Sequence, residues 1–297
     1  MNSTMKKYSL RYMIEWLLSR KVSKKFSDSL YVKLMYYSRT GKRLNISNPS
    51  SFNEKLQWMK LYDHNPLYTR IVNKVTVKEY VADKIGREYV VPTLGVWERF
   101  EDIEFKKLPQ QFVLKCNHDS GGLVICRNLS EFDFLNAKDK ITRSLHRNYY
   151  WTGREWPYKN VVPCVMAEQY LIDESQNELK DYKFFCFNGT PRFFKVDFDR
   201  FIDHHANYYD LDMNLLEFGE IICPPVKEKV IKKPDNFEKM VDLAKVLSEG
   251  FPFLRVDFYN IKGKIYFGEL TLFPASGAGP FVPASADIEI GKYLSLN

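Results

Sequence analysis

Apolar and polar positions alternate with a period of two over residues 253–259 and 265–273, which predicts a closing β-hairpin. Leu254, Val256 and Phe258 share one face, and Arg255 and Asp257 share the other. On the second strand Leu270 and Leu272 point one way, and Glu269 and Thr271 the other. A three-residue loop centred on Gly263 sets Ile261 opposite Ile265, Asp257 opposite Glu269 and Arg255 opposite Thr271. A second hairpin is expected from 181–187 and 192–198 across Asn188 and Gly189. Strands are also expected at 89–92, at 112–116 and 123–126 around a polar glycine-bearing turn, and at 165–171 running into an acidic loop.

Helical spacing accounts for much of the rest. Leu10, Met13, Ile14, Leu17 and Leu18 form one stripe. Further helices are predicted over 30–37, 52–62, 73–85 (stopped by Gly86), 135–149 and 237–248. A helical lead-in over 1–65, then mixed strands and helices over 66–297, predicts an α+β architecture rather than a doubly wound parallel sheet.

Composition narrows the class. Apolar residues make up 45% of 297, which excludes a disordered chain. No apolar run reaches the roughly 20 residues of a membrane span, and Arg11 and Glu15 interrupt the N-terminal apolar segment, so no secretory signal is expected. The five cysteines are scattered without a CxxC pair, so neither a disulfide frame nor a zinc site is indicated and a cytoplasmic location is expected. The net charge of +7 is uneven: residues 1–50 carry eleven Lys/Arg against Glu15 and Asp28. Lys6, Lys7, Arg20, Lys21, Lys24 and Lys25 flank the first stripe. Residues 6–25 therefore read either as a helix on the anionic inner face of a membrane or as a helix docked on its own domain with a basic rim. Nucleic acid is not an expected partner.

Several groups are candidates for chemistry. Asp257 and Glu269 facing each other repel unless a cation lies between them, and oxygen-only ligation suits Mg²⁺; two salt-bridged acids, with Arg255 neutralising one, is the alternative. Lys115, followed by a turn containing Ser120, Gly121 and Gly122, can hold phosphate with its ammonium and the turn amides. His118 reads as a general base or as a turn residue. Asp181 and Lys183 share a strand face, and Lys195, Asp197 and Asp199 repeat the pattern on the partner strand, as a phosphate site or a Lys–Asp ladder. Glu168, Tyr170 and Leu171 can form a strand edge that pairs with a base. The aromatics of 148–158, with Arg147 and Arg154, read as packing or as a sugar-stacking surface.

Taken in order, these segments resemble the TupA-like ATP-grasp family, associated with teichuronopeptide and other bacterial cell-surface polysaccharide synthesis. The resemblance covers roughly residues 45–285. It is carried by Phe52 to Trp58, Asn73 and Lys74, Phe112 to His118 with Gly121 and Gly122, Gly153 to Trp156, Ala167 and Glu168, Lys180 to Gly189, Arg255 to Asp257 and Gly268 to Thr271. It implies an ATP-grasp fold, two α+β subdomains gripping ATP between about 110–190 and 191–285. Lys74, Lys115 and Lys183, with Ser120, Gly121 and Gly122, would contact ATP phosphates. Glu168 and the backbone of Tyr170 and Leu171 would hold adenine. Asp257, Glu269 and Thr271 would bind Mg²⁺, and Arg255 and Lys183 would act on the transferring group. Two residues depart from the pattern: Asp119 stands where the family has Gly, which makes the turn more acidic near phosphate, and Thr271 stands where many ATP-grasp ligases have Asn. The implied reaction joins a carboxylate to an amine through an acyl phosphate, on a uronic-acid or amino-acid carboxylate of a small molecule or glycan. The rival reading is a nucleotide-sugar glycosyltransferase using the DxD pairs Asp197/Asp199 or Asp210/Asp212.

Overall fold

Three helices lead the chain in: α1 (Ser3–Leu18), α2 (Asp28–Thr40) and α3 (Phe52–Tyr62). The computed structural model describes residues 3–172, 179–199 and 202–296, and the acidic loop expected after 171 lies mainly outside them. A capping box starts α3: Ser51 accepts from the Glu54 amide, and the Glu54 carboxylate accepts from the Ser51 amide. Phe52, Leu56 and Met59 then fall on one buried face. The helices α4 (Leu67–Val72) and α5 (Thr76–Ile85) follow. The helix expected from residue 73 begins later because the Asn73 side chain accepts from the Val75 amide, an alternative to helical bonding.

The first sheet is built from β1 (Thr93–Trp97), β2 (Phe112–Cys116), β3 (Leu123–Cys126) and, after the helices α6 (Phe134–Leu145) and α7 (Tyr150–Gly153), β4 (Val165–Gln169). Its order is β1-β4-β2-β3, antiparallel throughout. Phe112, Leu114, Cys116, Val165 and Ala167 pack with Ala137 and Ile141 of α6. The opposite face carries Val113, Lys115, Met166 and Glu168, which meet in register. The strand expected at 89–92 is only a single bridge from Val90 to Phe267, and Pro92 brings no N–H to a ladder.

The second sheet follows: β5 (Asp181–Phe187), β6 (Thr190–Phe198), β7 (His205–Asp210), the short β8 (Gly219–Glu220), the helix α8 (Phe237–Ser248), then β9 (Phe253–Ile261) and β10 (Lys264–Thr271). Strand β11 (Phe281–Val282) pairs with β8, and α9 (Ala286–Gly291) closes the chain. The main order is β10-β9-β5-β6-β7. Tyr182, Phe184 and Cys186 of β5 share a face with Phe194 and Val196 and pack toward Phe237 and Ala244 of α8. The other face divides along the strands. Phe185, Phe187, Phe193 and Phe253 occupy one end, where Phe185, Phe187 and Phe253 clasp Phe52 of α3, with the Phe52 and Phe253 rings 4.9 Å apart. Asp181, Lys183, Lys195, Asp197, Arg255 and Asp257 occupy the other end.

The sheets part between Gln169 and Asp181 rather than near residue 190, so β5 belongs wholly to the second sheet. Likewise α3, grouped by sequence with the lead-in, shares the second sheet's core. In α1 the apolar stripe is docked only at its end: Leu18 and Ile14 pack with Tyr31, Met35 and Tyr36, whereas Leu10 and Met13 are exposed. No helix among the described residues is long and apolar enough to cross a membrane.

The closing hairpin reaches its expected register by two changes that cancel. Its loop is the two-residue Lys262–Gly263, both at positive φ, so Ile261 faces Lys264 instead of Ile265. A bulge at Gly268 then absorbs one residue, restoring Asp257 opposite Glu269 and Arg255 opposite Thr271.

Lys60 sits on the buried face of α3, where its Nζ donates to the Gly153 and Ser276 carbonyls at 2.9 and 2.8 Å. Burial pushes its pKa down to about 7, against the pull of Glu155. Above that value the native chain has released a proton the unfolded chain still binds, so stability rises with pH. The unfolding free energy of the wild type relative to Lys60→Met is expected to climb between about pH 7 and 9, by no more than about 1.4 kcal/mol per unit. A difference that stays flat in urea titrations across this range would show that Lys60 keeps its charge.

Candidate active site

The polar end of the second sheet faces the Lys115–Glu168 face of the first across a cleft of about 260 Å³. Lys74, Lys115, Ser120, Gly122, Glu168, Lys183, Asp257 and Glu269 all line it, so one cleft gathers most of the residues singled out by sequence. On the first-sheet wall Glu168 holds two lysines, with Oε1 2.6 Å from Lys78 Nζ and Oε2 2.5 Å from Lys115 Nζ. Burial opposes the charge on all three groups. The ion pairs outweigh it for Glu168, held below the carboxylate range, and for Lys115, raised above the lysine range. Lys78 is lowered because burial prevails there. Its Nζ also donates to the Val91 carbonyl at 2.7 Å and the Thr93 hydroxyl at 2.8 Å.

The second-sheet wall is a diagonal charge lattice. In register, Asp181 opposes Asp197, Lys183 opposes Lys195, and Asp257 opposes Glu269. Each like-charged pair costs energy, and diagonal partners relieve it. Lys183 bridges Asp181, at 3.3 Å, and Asp197. Lys195 meets Asp197 at 3.3 Å and Glu220 at 2.8 Å. Arg255 grips Asp257 in bidentate fashion, with Nε to Oδ1 2.7 Å and Nη2 to Oδ2 2.6 Å. It also donates to Thr271 Oγ1 at 2.9 Å and lies 3.8 Å from Glu269. Burial, set against Arg255 and Lys183, raises the Asp257 pKa to about 6. Lys74 reaches across the cleft to within 3.8 Å of Glu269 and donates to the Asp119 carbonyl.

Several expectations are corrected. Gly122 does not offer its amide to the cleft, because that N–H donates to Asp119 Oδ1 at 2.9 Å. The Asp119 carboxylate, which also accepts from the Ser144 hydroxyl, folds back onto its own turn instead of adding an acid to the phosphate region. Gly122 is needed there for space: a Cβ would lie 2.3 Å from Ser144 Oγ. Ser120 stays exposed beside the Tyr149 hydroxyl, and Gly121 accepts from the Leu123 amide. Glu168 carries both lysines on its two oxygens, so its first partners are cations rather than an amine of a base. Strand β4 ends at Gln169, leaving Tyr170 and Leu171 beyond the ladder, where the Tyr170 hydroxyl accepts from Arg127 at 3.4 Å. His118 is a buried turn residue whose Nε2 meets the Arg147 and Ser144 carbonyls. Neither DxD pair forms a carboxylate couple. Asp197 is turned inward, whereas Asp199 pairs with Lys229 at 3.5 Å. Asp210 accepts from Asp212 and Asn214 in its own turn. Sequence reasoning missed Lys78, whose signal is a lysine three residues before Val81 on a buried helix face, and Glu220, which sits in a two-residue strand without periodicity.

Two α+β halves with facing lysines and a paired carboxylate strand define the ATP-grasp class. The family model for TupA-like ATP-grasp proteins matches residues 54–295, and the chain belongs to that family. Solved structures similar to the chain include D-alanine–D-alanine ligase from Helicobacter pylori, at 14% identity and a TM-score of 0.42, over 84% of this chain and 70% of that one. The corresponding ligase from Bacillus anthracis is 20% identical with a TM-score of 0.40, over 74% and 62%. ATP-grasp ligase PsnB, solved with a phosphomimetic precursor variant, Mg and ADP, is 13% identical with a TM-score of 0.39, over 79% and 60%. The chain thus spans less than two thirds of the latter two structures. No curated protein matches it.

Glu168→Gln would leave Lys78 and Lys115 buried beside a neutral amide. A loss of about 3–5 kcal/mol is expected in urea unfolding, with part of it recovered in Glu168→Gln/Lys78→Met. A loss below about 1 kcal/mol would show that water, not Glu168, carries the two charges.

Proposed function

We propose that the chain is an ATP- and Mg²⁺-dependent carboxylate–amine ligase. The observation that carries this reading is the convergence of Lys74, Lys115 and Lys183 with Asp257 and Glu269 in one cleft between two sheets. In the reaction, a substrate carboxylate oxygen attacks the γ-phosphorus of ATP, releasing ADP and forming an acyl phosphate. An amine then attacks the acyl carbon and releases phosphate, leaving an amide. The three lysines hold phosphate oxygens, and Arg255 and Lys183 offset charge on the transferring group. The turn at 120–122 covers the phosphates mainly through Ser120 and Gly121. Glu168, with the backbone at Tyr170 and Leu171, borders the adenine.

The carboxylates Asp257 and Glu269 and the Thr271 hydroxyl form an all-oxygen donor set, which fits Mg²⁺. Bound there, the ion would neutralise phosphate charge. Arg255 now spans both Asp257 oxygens and reaches Thr271, so ligation exchanges one cation for another on the same acids. The acceptor fits a uronic-acid or amino-acid carboxylate of a cell-surface glycan, by analogy with the family association. The exposed Leu10, Met13 and Trp16 beside basic residues suit a peripheral contact of residues 6–25 with an anionic inner membrane. Residues 1–51, which lie wholly before the family match, act as that accessory segment, and the catalytic domain follows.

Titration with ATP or UDP-sugars, with and without Mg²⁺, tests the reading. Wild type is expected to bind ATP in a Mg²⁺-dependent manner, and Asp257→Asn/Glu269→Gln to lose that dependence while still folding, with a lowered thermal transition because Arg255 loses its buried partner. Binding of a UDP-sugar in place of ATP would sink the ligase assignment. Separately, deletion of residues 1–25 is expected to abolish sedimentation with anionic vesicles and leave ATP binding unchanged; undiminished sedimentation would exclude the membrane role.

A further inference from the structure

A second cluster of metal-ligating side chains lies behind the lattice, on the side of Asp197 away from Asp257. Asp197, His204 and Cys223 each present a ligand atom, and the three atoms lie within 4.8 Å of one another. We propose that they form a site for a borderline-soft divalent cation of the Zn²⁺ type, separate from the Mg²⁺ position at Asp257 and Glu269.

The spacing is the first argument. Tetrahedral Zn²⁺ with usual bond lengths sets a sulfur–nitrogen edge of about 3.6 Å and a nitrogen–oxygen edge of about 3.4 Å. Cys223 Sγ lies 3.4 Å from His204 Nδ1 and 3.7 Å from Nε2, and Nε2 lies 3.3 Å from Asp197 Oδ1, so the imidazole stands at edge-like distances from both partners, and its exposed ring can turn one nitrogen to the ion. A mixed thiolate, imidazole and carboxylate set is a zinc-type donor set and a poor one for Mg²⁺.

Charge is the second argument. With Cys223 ligating as a thiolate beside the Asp197 carboxylate and a neutral imidazole, the donor set carries two negative charges, which a divalent ion matches.

Access is the third. Asp197 and Cys223 are buried, whereas the His204 side chain is 41% exposed, so an ion can enter past the imidazole. Burial of the thiol suits a small ion better than attack on a bulky electrophile. An occupied site would tie the segments around His204 and Cys223 to β6, beside the carboxylate that holds Lys183. The inference stands independently of the ligase reading. The ligands come from a strand and two irregular segments, so no sequence spacing announces them.

Titration of the full chain with Co²⁺, a spectroscopic substitute for Zn²⁺, tests the site. Wild type is expected to develop a thiolate-to-cobalt charge-transfer band with visible ligand-field bands, reversed by Zn²⁺ but not by Mg²⁺. Cys223→Ser should lose the charge-transfer band, and His204→Ala, at a surface position, should weaken Co²⁺ binding about tenfold or more. A wild type without that band, a Cys223→Ser that retains it, or a His204→Ala that binds Co²⁺ as tightly as wild type would each overturn the proposal.

Discussion

The structure depends on keeping many ionic groups out of water without leaving any of them alone. An unpaired charge in a protein interior costs several kcal/mol, and removing one partner of a buried pair costs as much. The chain solves this on one half of one sheet face, where Asp181, Lys183, Lys195, Asp197, Arg255 and Asp257 interlock diagonally. The cleft exists because this half cannot be covered by an apolar layer. The other half can be, and Phe52 of α3 covers it. A change from phenylalanine to charge along the same strands therefore sets where the core stops and the site begins.

That constraint links the two sheets. Glu168 is the only acid facing Lys78 and Lys115 within ion-pair reach among the described residues, and Lys78 is anchored to β1 through Thr93 and to the preceding chain through Val91. Helix α5 is thereby tied to the first sheet by charge, while its Val77 and Val81 pack in the core of the second sheet. Lys74, just before α5, is carried toward Glu269 on the second sheet. The helix acts as a strut whose two lysines address the two walls.

Much of this was legible in the chain. Alternation at 181–198 and 253–273 gave the strands, and the glycine after Asn188 gave the first turn at the correct residues. The facing of Asp257 and Glu269 was anticipated through a loop one residue too long, because a bulge at Gly268 compensates and nothing in a single sequence marks it. Asp119 was read as an acid beside phosphate, since residue type does not reveal that a short carboxylate can satisfy its own turn amides. The boundary of the two halves was misplaced because it falls between hydrophobic strands of similar pattern, and only pairing distinguishes them. Tertiary ion pairs, such as those of Lys78 and Glu220, join residues far apart in sequence and leave no periodic signature.

The ligand-free arrangement also bears on how the cleft would accept a nucleotide with its metal. Each anionic group it would offer a cation already holds one supplied by the protein, with Arg255 on Asp257 and Lys74 near Glu269. Each lysine it would offer a phosphate already holds a carboxylate, as Lys115 does with Glu168 and Lys183 with Asp197. Apart from the half-exposed Glu269, binding would thus exchange partners between charges that are already desolvated, instead of drawing new charges out of water. The dehydration cost was met during folding, which is the physical content of a preorganised electrostatic site. The same economy sets a condition on the protein. The lattice must yield one partner at a time, so the mobile element of each exchange is a long side chain, Lys74, Lys183 or Arg255, and the short acids Asp181, Asp197 and Asp257 stay fixed to their strands.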